Sequence, residues 1–293
     1  MRHVIATAAA AVAAAAGLAL AGVPAAGAAT TSSTSASGTA ASPAAVRPLV
    51  RANVTLPRTH LPHLTPGEAT ATTGNWSGYG DAANKGVALR YVQADWNVPS
   101  VNCAGSTLGT GELAYNSDWV GLDGFNSATV EQTGTTAYCQ QGSTTPTYYA
   151  WYEVFPSDPV AFSGVAPGDA INASVYFNGK TYGITLTDLT TGGKITTTQA
   201  CPAKSTCKNS SAEVIVEDPG DSAPDLGLAD FGQVNFTNAQ VTSRNGTKGT
   251  LTSGSLWKAT AINLADLSNH HVLAKAGPLE GGAAFADTWV QSL

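Results

Sequence analysis

The chain has 293 residues, 43% of them hydrophobic, and a net charge of −6 from 14 basic and 20 acidic side chains. Four arginines but only one acidic residue, Glu68, precede residue 70, so the remaining chain carries 10 basic and 19 acidic groups. This acidic body argues against a nucleic-acid partner and against an anionic membrane surface.

The first 28 residues have the pattern of a secretory signal peptide. Arg2 and His3 precede a long Ala-rich apolar run, which ends in the small residues Ala26-Gly27-Ala28. A membrane anchor is the alternative, but the cleavage-like site follows directly and no cluster of charges flanks the run. The pattern predicts a secreted, extracellular protein with no membrane association after signal cleavage.

Residues 29–70 have the composition of a leader between the signal and the body. Residues 30–47 are mainly Ala, Ser, Thr, Gly and Pro and predict disorder, and residues 48–70 add Arg51, Arg58 and several prolines. The basic charge fits a propeptide that covers the acidic body near neutral pH and is released at low pH. A solvated linker fits equally well.

Residues 71–293 predict one all-β domain. Short runs rich in Val, Ile, Thr and aromatic residues recur, among them "LRYVQADWNV", "YYAWYEVF" and "INASVYFNG", with Gly, Asn, Asp, Pro and Ser between them. The "NGK" at 178–180 and the "TGGK" at 191–194 are typical of tight turns. No window has a sustained helical period, so we predict an antiparallel sandwich or barrel.

The four cysteines are an even number in a secreted chain and therefore indicate disulfides. The short polar loop between them favours the pair Cys201–Cys207, together with Cys103–Cys139. A zinc site is the weaker alternative because no paired C-x-x-C spacing is present.

Histidines are too few for most catalytic machinery. His3, His60 and His63 precede the predicted core, so a Ser-His-Asp or Cys-His site would need His270 or His271, and there is no G-x-S-x-G elbow. There is also no H-E-x-x-H and no glycine-rich phosphate motif. We expect neither a metal nor a cofactor, which leaves carboxylates, amides and aromatic rings.

Strand alternation sorts these groups by face. In "VEQTG", Gln132 points one way and Glu131 the other. In "EVIVED", Glu213 and Glu217 share a face that we expect at solvent or a groove, and the valines between them suit a sandwich interior. Taken alone, each acid also fits a solvated strand face.

Five motifs occur in one order, "WVGLDG", "VEQTG", "AWYEVFP", "EVIVED" and "ADFGQVNFTNA", and "NWSGY" and "WNVPSV" precede them. Together they resemble the glutamic peptidases known as eqolisins, peptidase family G1, over about residues 75–239. The resemblance implies a sandwich of two curved antiparallel sheets, concanavalin- or lectin-like, with the substrate groove on the concave face. The chain departs from fungal members at Glu131, where they have an apolar residue.

The same resemblance implies a secreted, acid-acting endopeptidase. The family's catalytic glutamine corresponds to Gln132 and its catalytic glutamate to Glu217. Ionised Glu217 would activate water, and the Gln132 amide would stabilise the oxyanion. We expect further groove-lining, substrate-binding side chains at Trp119, Asp123, Trp151 and Glu153. Packing for the tryptophans and structural hydrogen bonds for the acids are the alternatives.

Two other functions remain possible from the sequence. A sheet with aromatic rings and paired acids also suits sugars, so a glycosidase or glycan-binding sandwich is the alternative, although its two-carboxylate mechanism has no need of Gln132. A non-catalytic relative is the third. For the peptidase, the partners are protein and peptide substrates, and a monomer is expected.

Overall fold

The structure is a computed structural model, and it describes residues 46–109, 111–219 and 227–291. These residues belong to one compact unit. The signal peptide predicted at 1–28 and all but the last two residues of the disorder predicted at 30–47 lie outside the described residues. Arg47, the last residue of that segment, is held by ion pairs with Asp169 and Asp188. No helix in the described part has the length and apolar character needed to cross a bilayer.

Every regular element in the described ranges is a strand, which confirms the all-β prediction. The strands are β1 (Val50–Arg51), β2 (Thr70–Thr73), β3 (Trp76–Ala83), β4 (Leu89–Asn97), β5 (Leu113–Leu122), β6 (Val130–Gln140), β7 (Thr147–Phe155), β8 (Val160–Ser163), β9 (Ala170–Phe177), β10 (Tyr182–Asp188), β11 (Lys194–Gln199), β12 (Ser211–Glu217), β13 (Gln233–Ser243), β14 (Lys248–Gly249), β15 (Trp257–Asp266), β16 (His271–Ala276) and β17 (Phe285–Trp289). Their pairing is antiparallel except for the parallel pair of β2 with β15.

The strands form two sheets that share β13. The front sheet has the order β1-β8-β7-β6-β5-β12-β3-β15 and continues through β16 and β17 to residues 233–236 of β13. The back sheet has the order β11-β10-β9-β4-β13-β14. The register of β13 shifts between Thr237 and Gln240, and Asn238 has a positive φ of 51°. This irregularity bends β13 from one sheet into the other.

The main core lies between the sheets, where β5, β6 and β12 contact β4, β9 and β10. Val214 and Val216 point into it, as alternation predicted. A second apolar cluster covers the opposite, outer face of the front sheet and includes Trp76, Trp119 and Ile215. The front sheet is therefore buried on both faces, which removes Glu213 and Glu217 from bulk solvent.

Residues 46–70, the described part of the leader, run across this outer face. At one edge, β1 pairs with β8, and at the far side β2 pairs with β15. Between these strands the leader places Leu56, Leu61 and Leu64 in the outer apolar cluster. The leader is thus packed against the sheet by apolar contacts, as well as paired with it at both ends.

The chain has two disulfides, and they are the pairs that the sequence favoured. Cys103, in the loop before β5, is bonded to Cys139 near the end of β6. Cys201 and Cys207 close the loop between β11 and β12.

Candidate active site

Gln132 and Glu153 meet across two neighbouring strands. They are directly opposed in the antiparallel register of β6 and β7, and the Gln132 Nε2 donates a hydrogen bond of 2.7 Å to Glu153 Oε2. Both side chains are almost fully buried. Burial, followed by the charge of Glu217, raises the pKa of Glu153 to about 8. Glu153 is therefore a neutral acid at low pH and acts as an acceptor for the amide.

Glu217 lies at the end of β12 with partners on both carboxylate oxygens. Its Oε2 accepts a hydrogen bond of 2.8 Å from the Trp119 indole. Its Oε1 accepts bonds from the Thr59 hydroxyl at 2.6 Å, the His60 N–H at 3.2 Å and the Asn75 amide at 3.3 Å. Burial raises the pKa of Glu217 to about 7, and these hydrogen bonds act in the opposite direction. The protein thus fixes one oxygen and directs the other at the leader.

Thr59 connects the two halves of the site. Its hydroxyl binds Glu217, and its backbone N–H lies 3.5 Å from Glu153 Oε2, a long contact. Thr59, Glu153, Glu217 and Trp151 line one shared cavity. The leader therefore occupies the space between the acids of β7 and β12.

Trp119 is held in place by close packing beneath and beside it. Its ring packs edge-on against Trp76, with ring centres 5.0 Å apart. Gly134, on β6, faces it across the strand pair, where an added Cβ would lie 2.6 Å from Trp119 Cβ and 2.2 Å from the Asp118 carbonyl oxygen. The glycine of the Q-T-G motif therefore permits the approach that positions the indole for Glu217.

Comparison with known proteins identifies the family of this chain. The model of the Peptidase A4 family matches residues 74–279. The chain belongs to the Peptidase A4 family. It is 36% identical over 197 residues to aspergillopepsin-2 of Aspergillus niger, covering 60% of this chain and 67% of that protein. It is 35% identical over 187 residues to scytalidopepsin B of Scytalidium lignicola, covering 60% and 66%.

A solved structure is also similar to this chain. Scytalido-glutamic peptidase with a peptide based transition state analog matches with a TM-score of 0.57 and 27% identity, and the match covers 73% of this chain and 98% of that one. The resemblance to glutamic peptidases and the sandwich fold are therefore confirmed. As a member of the Peptidase A4 family, the protein is a hydrolase of peptide bonds, which decides against the carbohydrate-active alternative.

Three of the four predicted groove residues lie beside the predicted pair in this Peptidase A4 member. Trp119 binds Glu217, Glu153 binds Gln132, and Trp151 lines the cavity that Glu153 and Glu217 share. The structure places Asp123 elsewhere: its carboxylate accepts bonds from the backbone N–H of Asn209 at 2.7 Å and of Ser210 at 2.8 Å. Asp123 thus joins the loop after β5 to the start of β12. Its role is the structural hydrogen bonding that was the alternative to substrate binding.

Two further acids, Glu131 and Glu213, are buried away from the predicted pair. Glu131 points into the inter-sheet core, 3.1 Å from the Sγ of Cys207, and burial raises its pKa to about 9. Glu213, expected at solvent or a groove, is fully buried, and burial raises its pKa well above the usual value. Both faces of the front sheet are covered by apolar clusters, so side chains on either face are buried. Alternation within one strand shows which residues share a face but not what covers that face.

Sequence reasoning missed three groups that contact Glu217. Thr59 and His60 belong to a leader that was interpreted only by composition, and Asn75 belongs to "NWSGY", which was used only as part of the resemblance. The motif was the one available signal for Asn75. For Thr59 and His60 the only signal in the sequence was the basic charge of the leader as a whole, which does not single out either residue.

Proposed function

We propose that this Peptidase A4 member is a secreted, monomeric endopeptidase that acts at acidic pH through Glu217 and Gln132. The observation that carries the proposal is the environment of Glu217, whose Oε2 is fixed by Trp119 while Oε1 meets a peptide segment. That is the arrangement expected for a carboxylate that must reach both a water and a peptide nitrogen. The acidic body supports peptide rather than nucleic-acid partners.

The base in this reaction is Glu217. Ionised Oε1 takes a proton from water as the water adds to the scissile carbonyl, and the resulting carboxylic acid returns a proton to the leaving nitrogen. Burial under the leader holds the pKa of Glu217 near 7. Removal of the leader hydrates the carboxyl, which acts to lower that pKa, and removes the Thr59 and His60 hydrogen bonds, which acts to raise it. The acid limb of the pH–rate profile then reports Glu217 in the open site.

The oxyanion donor is Gln132. An amide nitrogen has two N–H groups, and one of them is used by Glu153. The second can bind the oxyanion, and an amide stays neutral and able to donate at every pH at which a carboxylate base is ionised. A neutral Glu153 keeps the amide nitrogen oriented without adding a negative charge beside the developing oxyanion.

The test is proteolysis of denatured casein between pH 3 and 5, with pepstatin present to suppress contaminating aspartic peptidases. We expect Gln132→Ala to lose about 10²- to 10³-fold in kcat and Glu217→Gln to lose all measurable activity. Glu280→Gln is the control because Glu280 is exposed. Wild-type rates in either variant of the pair would disprove the assignment, and hydrolysis of glycans but not of casein would disprove the reaction class.

We also propose that residues 29–70 are a propeptide whose described part blocks the site. The Thr59 hydroxyl, 2.6 Å from Glu217 Oε1, takes the position that an attacking water needs. Arg47 pairs with Asp169 and Asp188, and Arg58 with Asp158. These pairs attach the basic leader to acidic side chains of the body, which supports the leader as the segment that covers the site.

The propeptide proposal is tested by activating purified precursor at stepwise lower pH. Thr59→Val keeps the side-chain shape but removes the hydroxyl, so we expect activity to appear at higher pH or sooner than in wild type. Thr55→Val, in an exposed part of the leader, is the matched control. N-terminal sequencing follows the cleavage, and fully active enzyme that still begins near Ala29 would contradict the proposal.

A further inference from the structure

Asn75 is held rigidly beside Glu217. It lies between β2 and β3, where its backbone N–H donates to the Thr73 hydroxyl at 3.3 Å and its carbonyl accepts from the Asp218 N–H at 2.9 Å. The residue is only 4% exposed. The second of these bonds attaches Asn75 to the residue that follows Glu217, so the position of the Asn75 side chain relative to the Glu217 carboxylate is fixed.

The Asn75 amide makes two contacts with one nitrogen. Its Nδ2 donates to the His60 carbonyl oxygen at 2.6 Å and to Glu217 Oε1 at 3.3 Å. An amide NH₂ has two hydrogens, one for each acceptor. One side chain therefore connects the backbone of the bound segment to the catalytic carboxylate.

His60 occupies the position of the first residue of the leaving half of a substrate. Its backbone nitrogen lies 3.2 Å from Glu217 Oε1, which is the distance over which a carboxylic acid protonates a leaving nitrogen. In an extended peptide that runs the same way, the next acceptor along the backbone is the carbonyl of that same residue. In the leader this carbonyl is the one that Asn75 holds.

We propose that Asn75 is a substrate-positioning residue that binds the backbone carbonyl of the residue immediately after the cleaved bond. This inference rests on the proposed role of Glu217. Because Asn75 binds both the peptide carbonyl and Glu217, it fixes the position of the leaving nitrogen relative to the carboxylate. Transfer of the proton back to that nitrogen then needs no reorientation of the peptide. Because the contact is to the backbone, it positions any sequence and does not select a side chain.

The test compares two substrates with activated enzyme. The first is a quenched fluorescent peptide that mass spectrometry shows to be cut at one bond. The second is the same peptide with the amide after the first leaving residue replaced by a trans-alkene, which keeps the shape but has no carbonyl. We expect Asn75→Ala to lose about 10- to 100-fold in kcat/KM on the first substrate, the usual effect of leaving a buried hydrogen-bonding group unpaired.

On the alkene peptide we expect Asn75→Ala and wild type to have the same kcat/KM. An equal loss on both substrates, with a shifted acid limb of the pH profile, would show that Asn75 acts only through Glu217 and would overturn the proposal. No loss on either substrate would overturn it as well. Asn235→Ala, at an exposed position, is the control for changing an asparagine.

Two further measurements keep the outcome clear. Thermal unfolding at the assay pH checks that Asn75→Ala is folded, and Asn75→Ser, which is too short to reach the carbonyl, repeats the comparison if it is not. Glu217→Gln is assayed in parallel. Activity in that variant would disprove the proposed function itself. If Glu217→Gln is inactive and Asn75→Ala loses equally on the amide and the alkene peptides, only this inference is disproved.

Discussion

At the scale of single residues, the site depends on a carboxyl that is not one of the two proposed catalytic groups. Glu153 accepts from Gln132 at 2.7 Å, and its raised pKa, about 8, keeps it uncharged in acid. A neutral acceptor orients the amide without competing for its second N–H. Glu153 is therefore matched to an enzyme that works at low pH, since its ionisation would add a negative charge close to Glu217.

This arrangement predicts different effects for two substitutions of Glu153. Glu153→Ala leaves the Gln132 amide without its acceptor, and we expect a loss of about tenfold or more in kcat/KM. Glu153→Gln presents a neutral oxygen of similar reach, so its loss at pH 4 should be much smaller. Steady-state kinetics at pH 4 measure both, and equal losses in the two variants would show that the amide is not oriented by this contact.

At the scale of secondary-structure elements, the strand pair β5–β6 positions the Trp119 indole that binds Glu217. Gly134 faces Trp119 in the register of this pair, and a methyl group at position 134 would overlap the Asp118 carbonyl and the Trp119 Cβ. Both obstructions are parts of one buried strand, which cannot move aside cheaply. The Q-T-G motif thus contains the proposed oxyanion donor, Gln132, and, two residues later, the glycine that leaves space for the tryptophan bound to Glu217.

We expect Gly134→Ala to reduce the free energy of unfolding by about 1–3 kcal/mol, the usual cost of overpacking a core. We also expect reduced kcat, because the indole that binds Glu217 is displaced. Gly183→Ala is the matched control, since a Cβ at that strand position meets nothing closer than 3.8 Å. Denaturant unfolding at pH 4 measures both variants, and similar stability in the two would contradict the packing account.

Disulfide removal separates the two covalent links of the fold. Cys103 and Cys139 are 36 residues apart, whereas Cys201 and Cys207 are 6 apart. A cross-link that closes a longer loop restricts the unfolded chain more, within a typical range of about 2–4 kcal/mol. Replacing both cysteines of the 103–139 pair by serine should therefore lower the free energy of unfolding more than replacing both cysteines of the 201–207 pair. Denaturant unfolding at pH 4 measures both variants, and the reverse order would contradict the loop-entropy account.

At the scale of the whole molecule, the fold buries many carboxyls without cations. Nine buried acids have a raised pKa, and the described ion pairs involve none of them. They are Asp81, Asp118, Asp123, Glu131, Glu153, Glu213, Glu217, Asp218 and Asp287. The buried aspartates 169 and 188 differ, because both pair with Arg47.

The consequence for stability has a definite sign. A carboxyl whose pKa is raised by folding binds more protons in the native state than in the unfolded state, so stability is full below the unfolded pKa and falls as pH rises. For Glu131 the window runs from 4.5 to about 9. Each such group lowers the free energy of unfolding further as the pH rises through its window. The melting temperature should therefore fall steadily between pH 4 and pH 9.

Glu131→Gln tests this account, because it removes one titration and keeps the side-chain size. We expect little change in melting temperature at pH 4 and a higher melting temperature than wild type at pH 8. Glu280→Gln, an exposed change, should follow wild type at both values. Calorimetry across pH 3.5–9 measures all three, and a wild type that is most stable near pH 8 would refute the acid-dependence.

The sequence by itself determined the family, the all-β class and the inward orientation of Val214 and Val216, whereas alternation left open which of Glu131 and Gln132 faces the groove. These features follow from ordered motifs and from two-residue alternation, which are properties of single segments. The favoured disulfide pairs also appear in the structure. The roles of Gln132 and Glu217 remain predictions, now supported by their positions.

Only the tertiary structure decided what covers each strand face. It assigned Asp123 to the backbone of Asn209 and Ser210, buried Glu131, and brought Thr59 and Asn75 to Glu217. Each of these contacts joins residues that are distant in sequence, so no local pattern records them. The leader shows why: its composition predicts no structure, and its path exists only because the front sheet offers an apolar face with edge strands to pair with.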